Sequence, residues 1–291
     1  MAFAPRLFLL GALAMLAFAG NSLLARYALL GDQAGAWTFS LIRLISGAAV
    51  LALIVRLDLR SAGSWSGGLS LLIYMAGFSY AYLELGAGLG ALILFATVQF
   101  TMIGWALRSG ERLGLLQWSG LLLAFGALIW LLSPNLDGAL GVATLAMIAA
   151  GMGWGAYSLI GRGAQQPTRD TAGNFLRASL IALVLSPLVL FASPEPAPSQ
   201  SALIAALVSG VVTSGLGYSI WYAALPGFSR AQAGIMQLSV PAIAAIGGVL
   251  LLGEALTLQL ALSTAIILAG VGVATLSTAP RKTLSSETKS S

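Results

Sequence analysis

The chain contains no cysteine and no histidine in 291 residues, and only 8% of it is charged. Without cysteine there is no disulfide and no thiolate chemistry. Without histidine the commonest general base and metal ligand are gone, and a serine–histidine triad cannot be assembled. No pair of acids falls within the apolar runs to act as an aspartyl dyad, and no P-loop is present. Enzyme chemistry therefore has little to stand on, and no cofactor or metal site is expected. The scarcity of charge has its own meaning. A soluble domain carries about 25% charged residues, so most of this surface must meet lipid.

Hydrophobic residues fill 58% of the chain. The runs divide into ten spans, at about 7–29, 34–55, 67–86, 90–108, 115–132, 139–162, 171–191, 202–224, 230–252 and 257–277. Each approaches the roughly 20 residues that cross a hydrocarbon core of about 30 Å. The loops between them are too short for an ATPase or kinase module. Several breaks carry turn chemistry: Ser133-Pro134-Asn135, Gln166-Pro167, the Pro194/Pro196/Pro198 stretch and Leu225-Pro226-Gly227. Arg6, the run Leu7–Leu16 and Ala17-Phe18-Ala19 mimic a secretory signal. An internal counterpart favours reading this segment as an uncleaved first span. Trp37, Trp65, Trp118, Trp130 and Trp221 fall near span ends, as an interfacial belt requires.

The few charges are sorted by side. Arg6, Arg56, Arg60, Arg108, Arg112, Arg162, Arg169, Arg230, Arg281, Lys282 and Lys289 share one side of the ten-span arrangement. The opposite loops carry Asp32, Asp137, Glu195 and Glu254. A positive-inside bias produces this alternation. It predicts an all-α polytopic membrane protein with both termini cytoplasmic. Topology also accounts for the net charge of +5, so nucleic acid is not an expected partner.

The two halves resemble each other. Gly110-Glu111 closes span four, and Gly253-Glu254 closes span nine, 143 positions later. Arg43 in span two matches Arg177 in span seven, with Ser40 and Asn174 three residues before each. Phe78-Ser79-Tyr80-Ala81-Tyr82 matches Tyr218-Ser219-Ile220-Trp221-Tyr222, and Asn21 through Arg26 lines up with Tyr157 through Arg162. Five spans per copy is an odd number, so the second copy enters the membrane inverted. Inverted repeats are typical of secondary transporters. The expected organisation is one repeat over residues 1–135, an inverted one over 136–279 and a cytoplasmic tail over 280–291, with a cavity enclosed between the repeats.

An arginine in the second span of each half and a Gly-Glu after the fourth resemble the EamA-type branch of the drug/metabolite transporter superfamily. The segment from Pro241 to Gly253-Glu254, followed by the Gly270/Gly272 span, resembles that family's most recognisable stretch. The likeness extends over about residues 7–277 and looks closest to the YddG-type amino-acid exporters. It departs at Val98, which stands where the repeat register expects a counterpart of Pro241.

Within the spans, polar and aromatic groups mark candidate site residues. Trp154, Tyr157 and Ser158 share a helical face, as do Tyr218, Trp221 and Tyr222, and as do Tyr80 and Glu84. Asn21, Gln99 and Gln237 are amides in apolar surroundings and need hydrogen-bond partners. Tyr82 and Thr101 complete the candidate binding set, although Thr97 and Gln99 point about 200° apart. A charge at mid-bilayer costs roughly 3 kcal/mol or more and usually finds a cavity or a partner. Arg43, about 13 Å deep by helical rise, is expected to pair with Glu84, the binding of a substrate carboxylate being the other role open to it. Arg177 is expected to lock or gate the opposite face. Pro241 is expected to kink span nine, either lining the pathway or shaping the packing. Most of the 35 glycines serve close helix packing in lipid.

A chamber rich in aromatics and amides but poor in charge suits a small amphiphile. With the family resemblance, the expected function is export of amino acids, aromatic and other hydrophobic ones included, by facilitated or gradient-driven alternating access. A proton-coupled drug/metabolite antiporter using Glu84 is the alternative. A receptor or scaffold has no evident use for an inverted duplication. Ten spans can enclose a cavity without a second subunit, which fits a monomer.

Overall fold

A computed structural model describes residues 5–31, 33–59, 62–110, 114–132, 141–161, 164–224, 227, 236–237 and 239–276. Among these residues the regular structure is entirely helical. Ten helical segments follow one another: α1 (Pro5–Leu29), α2 (Ala36–Ile54), α3 (Trp65–Ala81), α4 (Ala87–Arg108), α5 (Leu115–Leu132), α6 (Val142–Gly161), α7 (Pro167–Ala192), α8 (Gln200–Ala224), α9 (Ser239–Leu252) and α10 (Leu258–Leu276). Six of them, α1, α2, α4, α6, α7 and α8, are long and apolar enough to cross a membrane. Helix α3 has 17 residues, and α5, α9 and α10 contribute shorter apolar stretches. Asp32, Arg60, Glu111, Arg112, Ser133-Pro134-Asn135, Asp137, Arg162, Pro226, Arg230, Arg281, Lys282 and Lys289 lie outside the described residues.

The polarity of the fold is reversed relative to a water-soluble bundle. Leu53, Val184, Leu188, Phe191, Leu250 and Leu258 face outward, while Asn21, Ser40, Arg43, Ser79, Ser209 and Ser214 are buried. In water such an exterior would drive aggregation; in lipid it is the stable choice. The protein is a multi-pass membrane protein.

The main helix pairings recur with a shift of five. Helix α3 packs on α6 as α8 packs on α1, α4 on α6 as α9 on α1, and α2 on α8 as α7 on α3. Helices α2 with α7, α4 with α9 and α5 with α10 pair with their own counterparts. Close approach is set by glycines: a Cβ on Gly153 of α6 would stand 2.8 Å from the Tyr74 nitrogen and 2.9 Å from the Ser70 carbonyl of α3.

Helix α3 ends earlier than its hydrophobicity predicts. The apolar run reaches residue 86, but Tyr82 closes the helix as its C-cap and Tyr82–Leu85 turn the chain into α4. Hydropathy alone does not register this end, because the turn residues Tyr82, Leu83 and Leu85 are themselves apolar.

Candidate functional site

The interior of the bundle is organised by one amide. Asn21 of α1 is 2% exposed, and its Oδ1 accepts hydrogen bonds from the Ser209 hydroxyl at 2.8 Å, the Thr213 hydroxyl, and the Ser214 hydroxyl at 3.3 Å. Its Nδ2 donates to the Thr213 carbonyl at 3.3 Å. These donors lie in a π-helical stretch of α8, Ser209–Leu216. In α geometry residues five apart diverge by about 140°. Widening the turn to i→i+5 bonding brings Ser209 and Ser214 toward one face, where both meet Asn21. Gly210, in the same stretch, lets α2 approach: a Cβ there would stand 2.5 Å from the Arg43 carbonyl.

Arg43 joins this hub from α2. Its guanidinium is buried; Nε donates to the Ser214 hydroxyl at 2.9 Å and Nη2 to the Tyr74 hydroxyl at 3.1 Å. Its central carbon lies 5.4 Å and 5.1 Å from the ring centroids of Tyr74 and Phe78, within cation–π range. Glu84 is not its partner. Helix α3 has ended before residue 84, and Glu84 sits exposed in the α3–α4 turn. The expected Arg43–Glu84 ion pair is absent, and neutral hydroxyls and aromatic faces surround the charge instead.

Beside the hub stands a cluster of rings from four helices. Phe18 meets Trp154, Tyr218 and Trp221 edge-on at centroid distances of 6.2, 5.6 and 5.9 Å. Trp154 lies 4.9 Å from Tyr74 and 5.1 Å from Tyr218. Phe18, Tyr74, Trp154 and Tyr218, together with Asn21, Ser22, Phe78, Leu94 and Phe95, line a central cavity of about 10 Å³. That is near the minimum that holds one water molecule. In this conformation the helices leave no room for a larger guest.

Polar side chains tie the loops at each end of the bundle. Gly253, at φ +67°, ends α9 in the left-handed region and turns Glu254 back, so that its N–H donates to the Gly248 carbonyl at 3.1 Å. The Glu254 carboxylate then accepts from the Ala87 N–H at the start of α4, both oxygens at 2.9 Å. It also faces Arg26 Nε at 3.4 Å, while Arg26 Nη1 donates to the last carbonyls of α3, Tyr82 and Leu83, at 3.0 Å each. Each charge thus meets the helix terminus of complementary sign. Glu195 does the same for α2, accepting from the N–H groups of Trp37 and Thr38 at 2.8 Å. At the other end α7 holds the loop before α3. Asn174 accepts from the Ser64 N–H at 2.7 Å, Asp170 from the Gly63 N–H at 3.1 Å, and Arg177 donates to the Ala62 carbonyl.

The candidate residues named from sequence separate into three groups. Asn21, Trp154 and Tyr218 line the cavity, and Tyr157 is buried behind Trp154, stacked on it at 5.5 Å, with its hydroxyl donating to Thr171 at 3.2 Å. Tyr82 is buried at the α3 end and packs on Phe78; Tyr222, Gln99 and Gln237 are half-buried. Thr101 donates to the Thr97 carbonyl at 2.8 Å and packs on Gly155. Tyr80 is 43% exposed on the outer surface of α3, so it lies away from the cavity. Arg177 is half-buried, 5.6 Å from the Trp65 ring. Pro241 is buried near the first described turn of α9, and the preceding residues 228–235 and 238 lie outside the described set.

Arg26, at the end of the first span, pairs inward with Glu254. One further expectation changes. Trp221, assigned to the interfacial belt, is 6% exposed in the interior cluster. The sequence reading missed Phe18, Tyr74, Phe78, Ser209 and Thr213. Tyr74 and Phe78 stand four residues apart on one face of α3, a signal equal in kind to those that were used.

The fold is that of a multi-pass helical membrane protein with an aromatic and amide centre and polar ties at both ends. Residues 141–276 match the EamA-like transporter family. An uncharacterized protein of Pseudomonas aeruginosa is 46% identical over 272 residues, 92% of this chain and 94% of its own. A solved crystal structure of a protein superposes with a TM-score of 0.69 over 94% of this chain and 98% of its own. At 21% identity that likeness speaks for the fold alone. Over residues 141–276 the chain is thus similar to EamA-like transporters.

Proposed function

We propose that this protein is a secondary transporter that moves small amphiphilic metabolites, chiefly amino acids with aromatic or other hydrophobic side chains, out of the cell. The observation that carries the reading is the central cluster. Phe18, Tyr74, Trp154 and Tyr218 reach one small cavity from four helices, beside a buried guanidinium and a buried amide. Aromatic faces offer apolar area and attract an ammonium, and hydroxyl and amide groups serve a polar head. The recurrence of helix pairings after five helices supports two inverted repeats, residues 1–135 and 136–279. So do the left-handed glycines at both Gly-Glu motifs, Gly110 at φ +83° and Gly253 at φ +67°. Rocking of one repeat against the other opens the closed centre to each side in turn. The charge sorting supports an inner-membrane location with both termini cytoplasmic, and a monomer suffices.

Purified protein in liposomes preloaded with unlabelled phenylalanine should accumulate labelled phenylalanine by counterflow. Liposomes that accumulate no more than protein-free controls, across a panel of amino acids, would sink the reading. A proton-coupled antiporter built on Glu84 has less support, because that carboxylate sits exposed in a turn rather than in the interior.

A further inference from the structure

Arg43 is fully buried, yet among the described residues no carboxylate stands within ion-pair distance of it. Two of its nitrogens are occupied by neutral hydroxyls, those of Ser214 and Tyr74. The third, Nη1, is buried and has no hydrogen-bond partner. A second orphan lies nearby. Tyr218 is 1% exposed and lines the central cavity, and its hydroxyl makes no hydrogen bond of normal length and angle. Tyr74 and Tyr218 both line the central cavity, and the ring of Phe78, also a lining residue, stands 5.1 Å from the guanidinium carbon.

A buried cation without a counter-charge and a buried hydroxyl without a partner are each unfavourable. Hydroxyls and aromatic faces solvate the guanidinium but do not neutralise it. One ligand chemistry answers both needs. A carboxylate has two acceptor oxygens, and it forms charge-assisted hydrogen bonds with a guanidinium. The rings of Phe18 and Trp154, which also line the cavity, suit an ammonium and an apolar side chain.

We infer that Arg43 Nη1 and the Tyr218 hydroxyl bind the carboxylate of a zwitterionic substrate, so that amines lacking that group are rejected. The inference rests on the transport reading and narrows it: the carboxylate is the obligatory part of the cargo. The central cavity of about 10 Å³ widens when such a guest enters.

The test compares L-phenylalanine, phenethylamine (its analogue without the carboxylate) and sodium chloride. Each is titrated against the thermal stability of the purified protein, and the two organic compounds are also assayed by counterflow in liposomes. Phenylalanine should bind at least about tenfold more tightly than phenethylamine, the worth of a hydrogen bond to a charged group. Tyr218→Phe removes a hydroxyl that makes no hydrogen bond of normal length and angle, so it should keep the parent's stability while weakening phenylalanine binding several-fold. Arg43→Lys keeps the charge but loses the planar fork and should weaken it further. Equal binding of amine and amino acid, an unchanged affinity in Tyr218→Phe, or stabilisation by chloride with no added effect of phenylalanine would overturn the inference. Exchange of phenethylamine alone leaves transport standing and removes the carboxylate site; exchange of neither compound, with no binding, removes both.

Discussion

Asn21 illustrates how much one amide fixes in a membrane interior. Its carbonyl oxygen accepts from three hydroxyls of α8. Asn21→Ala leaves the Ser209 and Ser214 hydroxyls short of this acceptor, while Thr213 keeps the Ser209 carbonyl, and should cost about 1–3 kcal/mol, read as a lowered melting temperature in detergent. A variant as stable as the parent would contradict the hub. Tyr80 and Glu84 make the opposite case. Both are exposed, so Tyr80→Leu and Glu84→Gln should leave amino-acid exchange, and its dependence on pH, as in the parent. Loss of exchange in either would restore them to the site. The residue types at the centre were readable from sequence because an amide or arginine inside an apolar run demands an explanation. Which partner each one takes was not readable. Arg43 meets Ser214, 171 positions away, through a π-helical turn that no residue in Ser209–Leu216 announces.

At the scale of the element, helix ends matter more than helix faces. The Gly-Glu motif has a physical reason here. A left-handed glycine stops α9, and the glutamate it redirects caps α4 and pairs with Arg26. Glu254→Gln and Arg26→Gln should each lower thermal stability by about 1–3 kcal/mol. The charge-reversed double variant, Arg26→Glu with Glu254→Arg, should not recover it. It would set a carboxylate at the C-terminus of α3 and a guanidinium at the N-terminus of α4, each against the helix dipole. Full recovery would mean that the ion pair alone matters. Close packing gives a second contrast. Gly153→Ala drives a methyl into the α3 backbone and should cost about 1–3 kcal/mol. Gly126→Ala meets nothing within 4 Å and should be neutral, or stabilising by up to about 1 kcal/mol. Hydropathy located these helices closely, as at α2, expected over 34–55 and observed over Ala36–Ile54. It overran the end of α3, where apolar turn residues carry no signal of their own.

The whole molecule joins a lipid-facing apolar shell to a polar, aromatic centre that is closed in this conformation. Four sequence matches in order suggested an internal repeat, and the helix pairings recur after five helices. The size of the cavity was not visible, because volume depends on how tightly glycine-rich helices close. The central claim is that this closed centre opens to both compartments in turn. The chain has no cysteine, so single-cysteine variants can be labelled without background. Ser22 lines the cavity and is 1% exposed. With Ser22→Cys in sealed vesicles of either orientation, a membrane-impermeant thiol reagent should modify the residue from both sides, and phenylalanine should slow the reaction. Modification from one side only, or from neither, would contradict the account.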